Sequence, residues 1–440
     1  VGDLAGNVQI HEVAIYQAVK VSLIADGNVV SDRNAQVVEG RPALVRVSVT
    51  PSGGFSPRSL VAKLELGSGA QKTATLSVSG ASSDGNLEST FNFSLSAEEL
   101  SKSLAIAVSL HEANGKSVGA VQANVRAPTT GTLALGAEHS GKVRVRIVPF
   151  RYWYDGSGRL PDTSQAQLTA YQNIVYAMFP STDVEISLRE AVDYSGYVGP
   201  GSGWGSWLDT LCDVRMNDGV DSKIYYFGVM APVSGWGSYG SGIAGLGNVP
   251  DASSNWARCA VGLGFTDADP YGYIMAHEVG HTMGLPHAPC GTDGDWFPYA
   301  GAKIGVWGYS LVSQKLKDPA QYRDLMSYCD PQWMSDYNFS RLFERIQWVN
   351  QSFVQKKASS RMQKLIVDVD GSVTVAGSVE LPESPGRPTR VRVFDTAGAR
   401  EVVGSFLPMS EAPAGIWFVP DPHASVLEVE ADGMPRVTLR

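Results

Sequence analysis

Through residues 1–127 the chain alternates apolar and polar positions with a period of two. Val45, Val47 and Val49 fall on one face of an extended segment. Leu60, Ala62, Leu64 and Leu66 do the same in the next, and Leu104, Ile106, Val108 and Leu110 in a third. Successive strand side chains point to opposite faces, so this pattern predicts strands buried on one side. Turn-rich pieces such as Pro51-Ser52-Gly53-Gly54 separate them. Short strands with frequent turns read as an antiparallel, immunoglobulin-like β-sandwich. Residues 128–141 are small and polar and read as a linker.

The pattern changes in residues 142–357. Val143, Val145 and Ile147 begin a strand. Ser164 and Gln167 form a capping-box pattern ahead of Leu168, Tyr171, Val175, Met178 and Phe179, which recur at helical spacing until Pro180. Residues 184–192 and 223–230 read as further strands. Between and after them lie two Gly- and Trp-rich loops, 199–207 and 234–242, which read as flexible connections or as the rim of a binding cleft. Residues 243–246 follow, either as an edge strand able to pair with an extended peptide or as an interior strand. Asp269-Pro270 offers an N-cap and a first-turn proline for a helix running to about Met283. Phe339, Leu342, Phe343, Ile346, Val349 and Phe353 mark an amphipathic helix over 336–353. Period-two patterning returns in residues 358–440, a small β-rich module without recognisable chemistry. The fold class expected is multidomain α+β, with a mixed central domain between an N-terminal β-sandwich and a C-terminal β-module.

The chemistry concentrates at His277-Glu278-Val279-Gly280-His281-Thr282-Met283-Gly284-Leu285-Pro286-His287. Two histidines four apart leave one face of a helix together and can grip one metal ion, with Glu278 beside it as a general base. Gly284 permits the left-handed exit that returns His287 as a third ligand. Three neutral imidazoles and an open fourth position describe catalytic zinc. These residues hold three of the seven histidines; His11, His111, His139 and His423 are scattered.

The net charge is −9, with acids and bases interspersed, which argues against a nucleic-acid partner. No apolar run approaches the ~18 residues of a membrane span. Four cysteines, Cys212, Cys259, Cys290 and Cys329, allow three pairings. Cys290 with Cys329 is favoured, because one follows the third histidine and the other adjoins a second site segment; Cys212 with Cys259 remains. The alternative is four reduced thiols. Val1 is not an initiator methionine, so the chain reads as a secreted product whose signal peptide has been removed. Thr292, Asp293 and Asp295 make residues 288–295 a candidate calcium loop.

The spacing H-E-x-x-H-x-x-G-x-x-H resembles the metzincin clan of zinc endopeptidases. That resemblance implies a methionine turn beneath the metal, for which Met326 in Asp324-Leu325-Met326-Ser327-Tyr328-Cys329 is the candidate. It also implies a role for Tyr328 at the metal or the oxyanion. The segment Glu39-Gly40-Arg41-Pro42-Ala43 within a β-rich region ahead of such a domain resembles bacterial secreted proteases of the StcE, adamalysin-like type, with pappalysin-like enzymes as a second neighbour. The StcE type implies mucin-like O-glycosylated substrates. Trp204, Trp236, Ile243, Gly245, Leu246 and Trp333 are then candidate substrate contacts. The expected function is a secreted, monomeric zinc endopeptidase acting on protein or glycoprotein. The alternative is a catalytically silent metzincin-fold adhesion protein acting through its β-modules, and the intact Glu278 speaks against it.

Overall fold

The computed structural model describes residues 1–440 apart from 68, 266–270, 295, 352–358, 383, 412, 421–427, 432–433 and 439–440. Chain packing divides it into two compact units, each gathered from three stretches. The first holds Val1–Lys142, Tyr176–Asp183 and Ala288–Gln347; the second holds Val143–Val175, Val184–His287 and Trp348–Arg440. The architecture is mixed α+β with several sheets, and both ends of the chain are β-rich. Among the described residues no helix is long and apolar enough to cross a membrane.

The main strands of the first unit are β1 (Val8–Tyr16), β2 (Ala18–Ala25), β3 (Ala43–Pro51), β4 (Arg58–Leu66), β5 (Gln71–Val78), β6 (Phe91–Leu95) and β7 (Ala105–Glu112). One antiparallel sheet runs β2-β1-β3-β6, extended beyond β2 by Gly308–Tyr309 and Leu316–Lys317. The other runs β7-β4-β5, with Leu133–Ala134 outside β7. Val45, Val47, Val49, Leu60, Ala62 and Leu64 are all buried. Strand β3 is covered on both faces, however, and also buries Arg46. A buried guanidinium needs acceptors, and Arg46 donates to the Asp84 carbonyl at 2.8 Å and to Thr90 Oγ1 at 3.2 Å. Arg41 is buried too and donates to the carbonyls of Phe179 (2.9 Å), Ser181 (2.8 Å) and Tyr176. The latter lies at a helix C-terminus, where carbonyls lack helical partners. This is why 176–183 packs with the first unit. Residues 128–141 run along this unit, Leu133 pairing with Ile106 and Glu138 accepting from the Glu39 N–H at 2.8 Å.

The second unit opens with β8 (Val143–Tyr152), α1 (Gln165–Met178) and β9 (Val184–Leu188). It continues with α2 (Trp204–Asn217), β10 (Ile224–Met230), β11 (Gly245–Gly247), β12 (Cys259–Leu263) and α3 (Tyr271–Thr282). Ser164 caps α1, its Oγ accepting from the Gln167 N–H at 3.3 Å. The sheet order is β9-β8-β10-β12-β11; the first four strands are parallel, and β11 is an antiparallel edge. A second sheet follows from β13 (Ser360–Val367), β14 (Val373–Leu381), β15 (Arg387–Asp395), β16 (Gly398–Pro408), β17 (Gly415–Pro420), β18 (Glu428–Ala431) and β19 (Met434–Thr438). It runs β14-β13-β17-β16-β15-β18-β19, all antiparallel. Leu365, Val391, Val393, Trp417, Val419 and Val429 form its core.

That C-terminal sheet is fastened to α2 by charge. Lys364 on β13 is buried, and its Nζ lies 2.8 Å from both Asp209 oxygens and 2.9 Å from Asp213 Oδ1. The Asp368 carboxylate accepts from the Gly205 N–H at 2.9 Å and from Gly203 N–H, at the positive end of the α2 dipole. Helix α2 corrects the expected glycine-rich loop over 199–207. Trp204, Trp207, Leu208, Leu211 and Cys212 are all fully buried at helical spacing, so Trp204 is a core residue and not a substrate contact. Glycine content obscured a period that continues past Trp207.

Candidate metal centre

Helix α3 places His277 and His281 one turn apart. The expected cap at Asp269-Pro270 lies outside the described residues. At the other end Gly284 has φ +86°, its N–H donates to the His281 carbonyl at 2.8 Å, and the Leu285 N–H donates to the Gly280 carbonyl at 3.2 Å. These two bonds close the helix as a Schellman motif, and the left-handed glycine turns the chain back. His287 thereby returns to the same point. The ligand nitrogens of His277, His281 and His287 lie within 4.8 Å of one another, and the residues are only 6, 1 and 9% exposed.

The protonation pattern suits a metal. His281 Nδ1 is 2.7 Å from the Leu285 carbonyl oxygen, which can only accept, so Nδ1 carries the proton and Nε2 a lone pair. That lone pair faces His277 Nε2 at 3.0 Å. Burial, then the neighbouring imidazoles, holds His281 well below the ordinary histidine range, against the Leu285 hydrogen bond. Burial lowers His287 as well, with the Glu411 carboxylate opposing. Zinc binds neutral imidazole, and this triad is suited to a catalytic zinc ion.

Glu278, one residue on from His277, is 5% exposed. Burial, followed by the Glu411 carboxylate, pushes its carboxyl well above the usual range, while a hydrogen bond from Ser410 opposes them. Edge strand β11 lies directly against it. A Cβ on Gly245 would come within 2.5 Å of Glu278 Oε1, and one on Gly247 within 2.8 Å of the Glu278 carbonyl. Gly247 therefore requires glycine, and a side chain at Gly245 would displace the Glu278 carboxylate. Leu246 between them is fully buried, and Ile243 is half-buried with its carbonyl accepting from Tyr239 OH at 2.9 Å. Trp236 is half-buried and packs edge-on against Phe265, 5.1 Å between centroids.

The remaining candidates belong to the first unit. Met326 is fully buried, its N–H donates to Asp324 Oδ1 at 2.8 Å, and its carbonyl accepts from Ala288, the residue after His287, at 2.9 Å. Tyr328 is 47% exposed, with its N–H on the Cys290 carbonyl. Trp333 is 3% exposed, its Nε1–H donates to the Ala18 carbonyl at 2.9 Å, and the Lys317 ammonium lies over its ring. This burial replaces the expected substrate contact with a packing role.

Cys290 and Cys329 form a disulfide. The expected second bridge is absent: Cys212 and Cys259 are free, buried thiols. The two thiols lie against each other; Asn248 Nδ2 also donates to Cys212 Sγ at 3.3 Å, and the Cys259 thiol faces the Trp256 carbonyl at 3.5 Å. They behave as small core residues on α2 and β12. Asp295 of the candidate calcium loop lies outside the described residues; among those described, the three histidines are the one group able to hold a metal.

Sequence patterning missed three groups of polar residues. Asp324, fully buried, accepts from Met326 N–H, Ser335 N–H (3.0 Å) and Asn338 Nδ2 (2.8 Å), and so pins the turn. Lys364 fastens the C-terminal sheet. Ser410 and Glu411 lie on the β16–β17 connection, Ser410 Oγ 3.4 Å from Glu278 Oε2 and Glu411 Oε1 3.6 Å from His287 Nε2. A buried charge interrupting an apolar strand could have signalled Lys364; nothing local signals Ser410 or Glu411.

A helix-borne pair of imidazoles completed by a third beyond a left-handed glycine is how metzincins assemble their metal centre. Residues 211–332 match the family described as Peptidase M66, a span that includes the three histidines, Glu278 and Met326. The chain thus carries a peptidase M66 domain, a zinc metallopeptidase of the metzincin type. No curated protein matches the chain. A solved structure described as "Structure of a chaperone-substrate complex" shares 11% identity at a TM-score of 0.27. The match covers 59% of this chain and 38% of that one, a likeness too slight to speak of fold or function.

Proposed function

We propose that this protein is a secreted zinc endopeptidase in which Glu278 is the general base. The observation that carries the proposal is the convergence of three buried imidazoles with Glu278 beside them, against the edge strand β11. Zinc in that place supplies Lewis acidity, which acidifies water toward a pKa of ~7 and polarises a scissile carbonyl. The three imidazoles hold the ion. Glu278, as carboxylate, takes the proton of the attacking water on an Oε and passes it to the leaving amine nitrogen. Its raised affinity for protons suits that shuttle, which needs a group able to accept and release near neutrality. An extended peptide would pair antiparallel with the backbone of β11, whose Gly247 N–H and carbonyl are hydrogen-bonded to Ser410. Tyr328 is the proposed oxyanion donor, a role that rests on the metzincin resemblance.

The disulfide fits an oxidising compartment. Preference for mucin-like O-glycoproteins is the finer part of the proposal. It rests on the StcE-type resemblance alone, because Trp204, Trp207 and Trp333 are buried and supply no glycan surface. The test is cleavage of a mucin-type glycoprotein before and after removal of its glycans, with casein as an unstructured control and Glu278→Ala as the inactive variant. Cleavage of the glycosylated form alone supports the glycan arm, and cleavage of both forms leaves a general endopeptidase. Wild type as inert as Glu278→Ala on every substrate, with zinc bound, would instead favour a silent binding protein.

A further inference from the structure

The connection between β16 and β17 brings the C-terminal sheet up to the edge of the central one. Met409 N–H donates to the Ala414 carbonyl at 3.0 Å and Ala414 N–H to the Glu411 carbonyl at 2.8 Å, so the chain reverses tightly. The flank leading into that turn runs antiparallel beside β11. Val249 N–H donates to the Pro408 carbonyl at 2.9 Å, Asn248 bridges Met409, and Ser410 N–H donates to the Gly247 carbonyl at 2.8 Å. Asn248 and Met409 are both buried at the junction. The backbone of Ser410 is thereby held in register, and one torsion then places its side-chain oxygen.

That oxygen stands between Gly247 and Glu278. Ser410 Oγ accepts from the Gly247 N–H at 3.1 Å and lies 3.4 Å from Glu278 Oε2. A hydroxyl has one proton to give and two lone pairs. The Gly247 amide can only donate, so it takes a lone pair, and the hydroxyl proton is left for the carboxylate, which can only accept. Among the described residues no other hydrogen-bond donor reaches the Glu278 carboxylate. The 3.4 Å contact exceeds the ~2.5–2.7 Å of a formed O–H···O⁻ bond. Hydrogen bonds of catalytic groups often tighten only when substrate binds. On its other side the carboxylate meets Gly245 and Gly247, which leave it room and offer no side chain to orient it.

We propose that Ser410 is a positioning residue for the general base: its hydroxyl, carried to β11 by the C-terminal sheet, holds the Glu278 carboxylate in the orientation that meets the attacking water. The inference rests on the zinc-peptidase reading above. It adds to that reading a residue from outside the matched span 211–332. A glutamate side chain has several torsions to settle, and one donated bond selects among them while giving a buried acceptor its partner. The proton still passes from water to Glu278 and on to the amine; Ser410 neither gains nor loses one. The C-terminal sheet is then part of the active site.

The test measures initial rates of the full, zinc-loaded chain on casein, or on a mucin-type glycoprotein if only that is cleaved. Ser410→Ala removes the hydroxyl and keeps the backbone N–H that pairs with Gly247. The expected result is kcat lower by about tenfold, the loss of one hydrogen bond to a charged acceptor, with KM and bound zinc unchanged. Ser410→Thr restores the hydroxyl and should recover most of kcat, whereas Ser410→Val, of the same shape without it, should not. In a Glu278→Gln background Ser410→Ala should cost nothing further, because Ser410 acts through that carboxylate. A stitch that only joins the sheets would instead raise KM, lose zinc or lower the thermal melt, alike in Thr and Val. If Ser410→Ala fails to fold, the comparison of Thr with Val decides. Unchanged kcat in Ser410→Ala, or equal behaviour of Thr and Val, overturns the assignment while the peptidase reading stands. If wild type cleaves neither substrate with zinc bound, both fall together.

Discussion

The Leu285 carbonyl holds His281 by Nδ1 at 2.7 Å, so the helix exit that returns His287 also fixes the tautomer of the ligand before it. One turn of chain thus orders two of the three imidazoles. Removing His281 should abolish metal binding along with activity. His281→Ala is expected to lose nearly all tightly held zinc after dialysis, measured as metal per chain, while far-ultraviolet circular dichroism stays close to wild type.

Glu278 should separate the two properties. Glu278→Gln keeps the volume and removes the proton shuttle, so bound zinc should persist at one per chain while kcat falls by roughly 10²–10⁴-fold. Loss of zinc in this variant would instead make Glu278 part of the metal's support.

The metal-free protein should weaken in mild acid. Burial lowers His281 and His287 in the folded state below their unfolded value of 6.5, so the unfolded chain binds protons more readily. Stability from these groups is full above that pH and drains as pH falls below it. Thermal melts of the apo protein from pH 8 to pH 5 should show a falling midpoint, and the His281→Ala variant a shallower fall.

Lys364 neutralises two acids from a site that is itself buried. Lys364→Met would leave Asp209 buried and unpartnered, which costs about 3–5 kcal/mol. Urea denaturation should show that loss, and Lys364→Met with Asp209→Leu should recover part of it.

The Cys290–Cys329 link closes 39 residues of separation around the segment between the third histidine and the methionine turn. Its reduction should destabilise the first unit by about 2–4 kcal/mol, read as a lower denaturation midpoint in the presence of a thiol reductant. The free Cys212 and Cys259 should resist alkylation until the protein unfolds, because both are buried.

The parts of this protein that sequence revealed are those governed by local rules. His277, His281 and His287 follow from helix geometry and one left-handed glycine, and Val45, Val47 and Val49 from strand alternation. What escaped depends on partners distant in sequence. Nothing near Ser410 indicates that Gly247, about 165 residues earlier by the numbering, receives it. Arg41 resembles a surface arginine until the carbonyls of Tyr176, Phe179 and Ser181 surround it. Trp204 and Trp207 were misplaced for a different reason: neighbouring glycines suggested a loop, but tertiary burial of a helical face overrode their low propensity.

Each compact unit is assembled from three separated stretches, the last beginning at Ala288 in one and at Trp348 in the other. During synthesis the histidines leave the ribosome well before β13 brings Lys364 to Asp209 and Asp368 to the start of α2. The first unit likewise waits for 288–347. The second unit finishes only once 348–440 have followed, so each body closes on residues made long after its first strands.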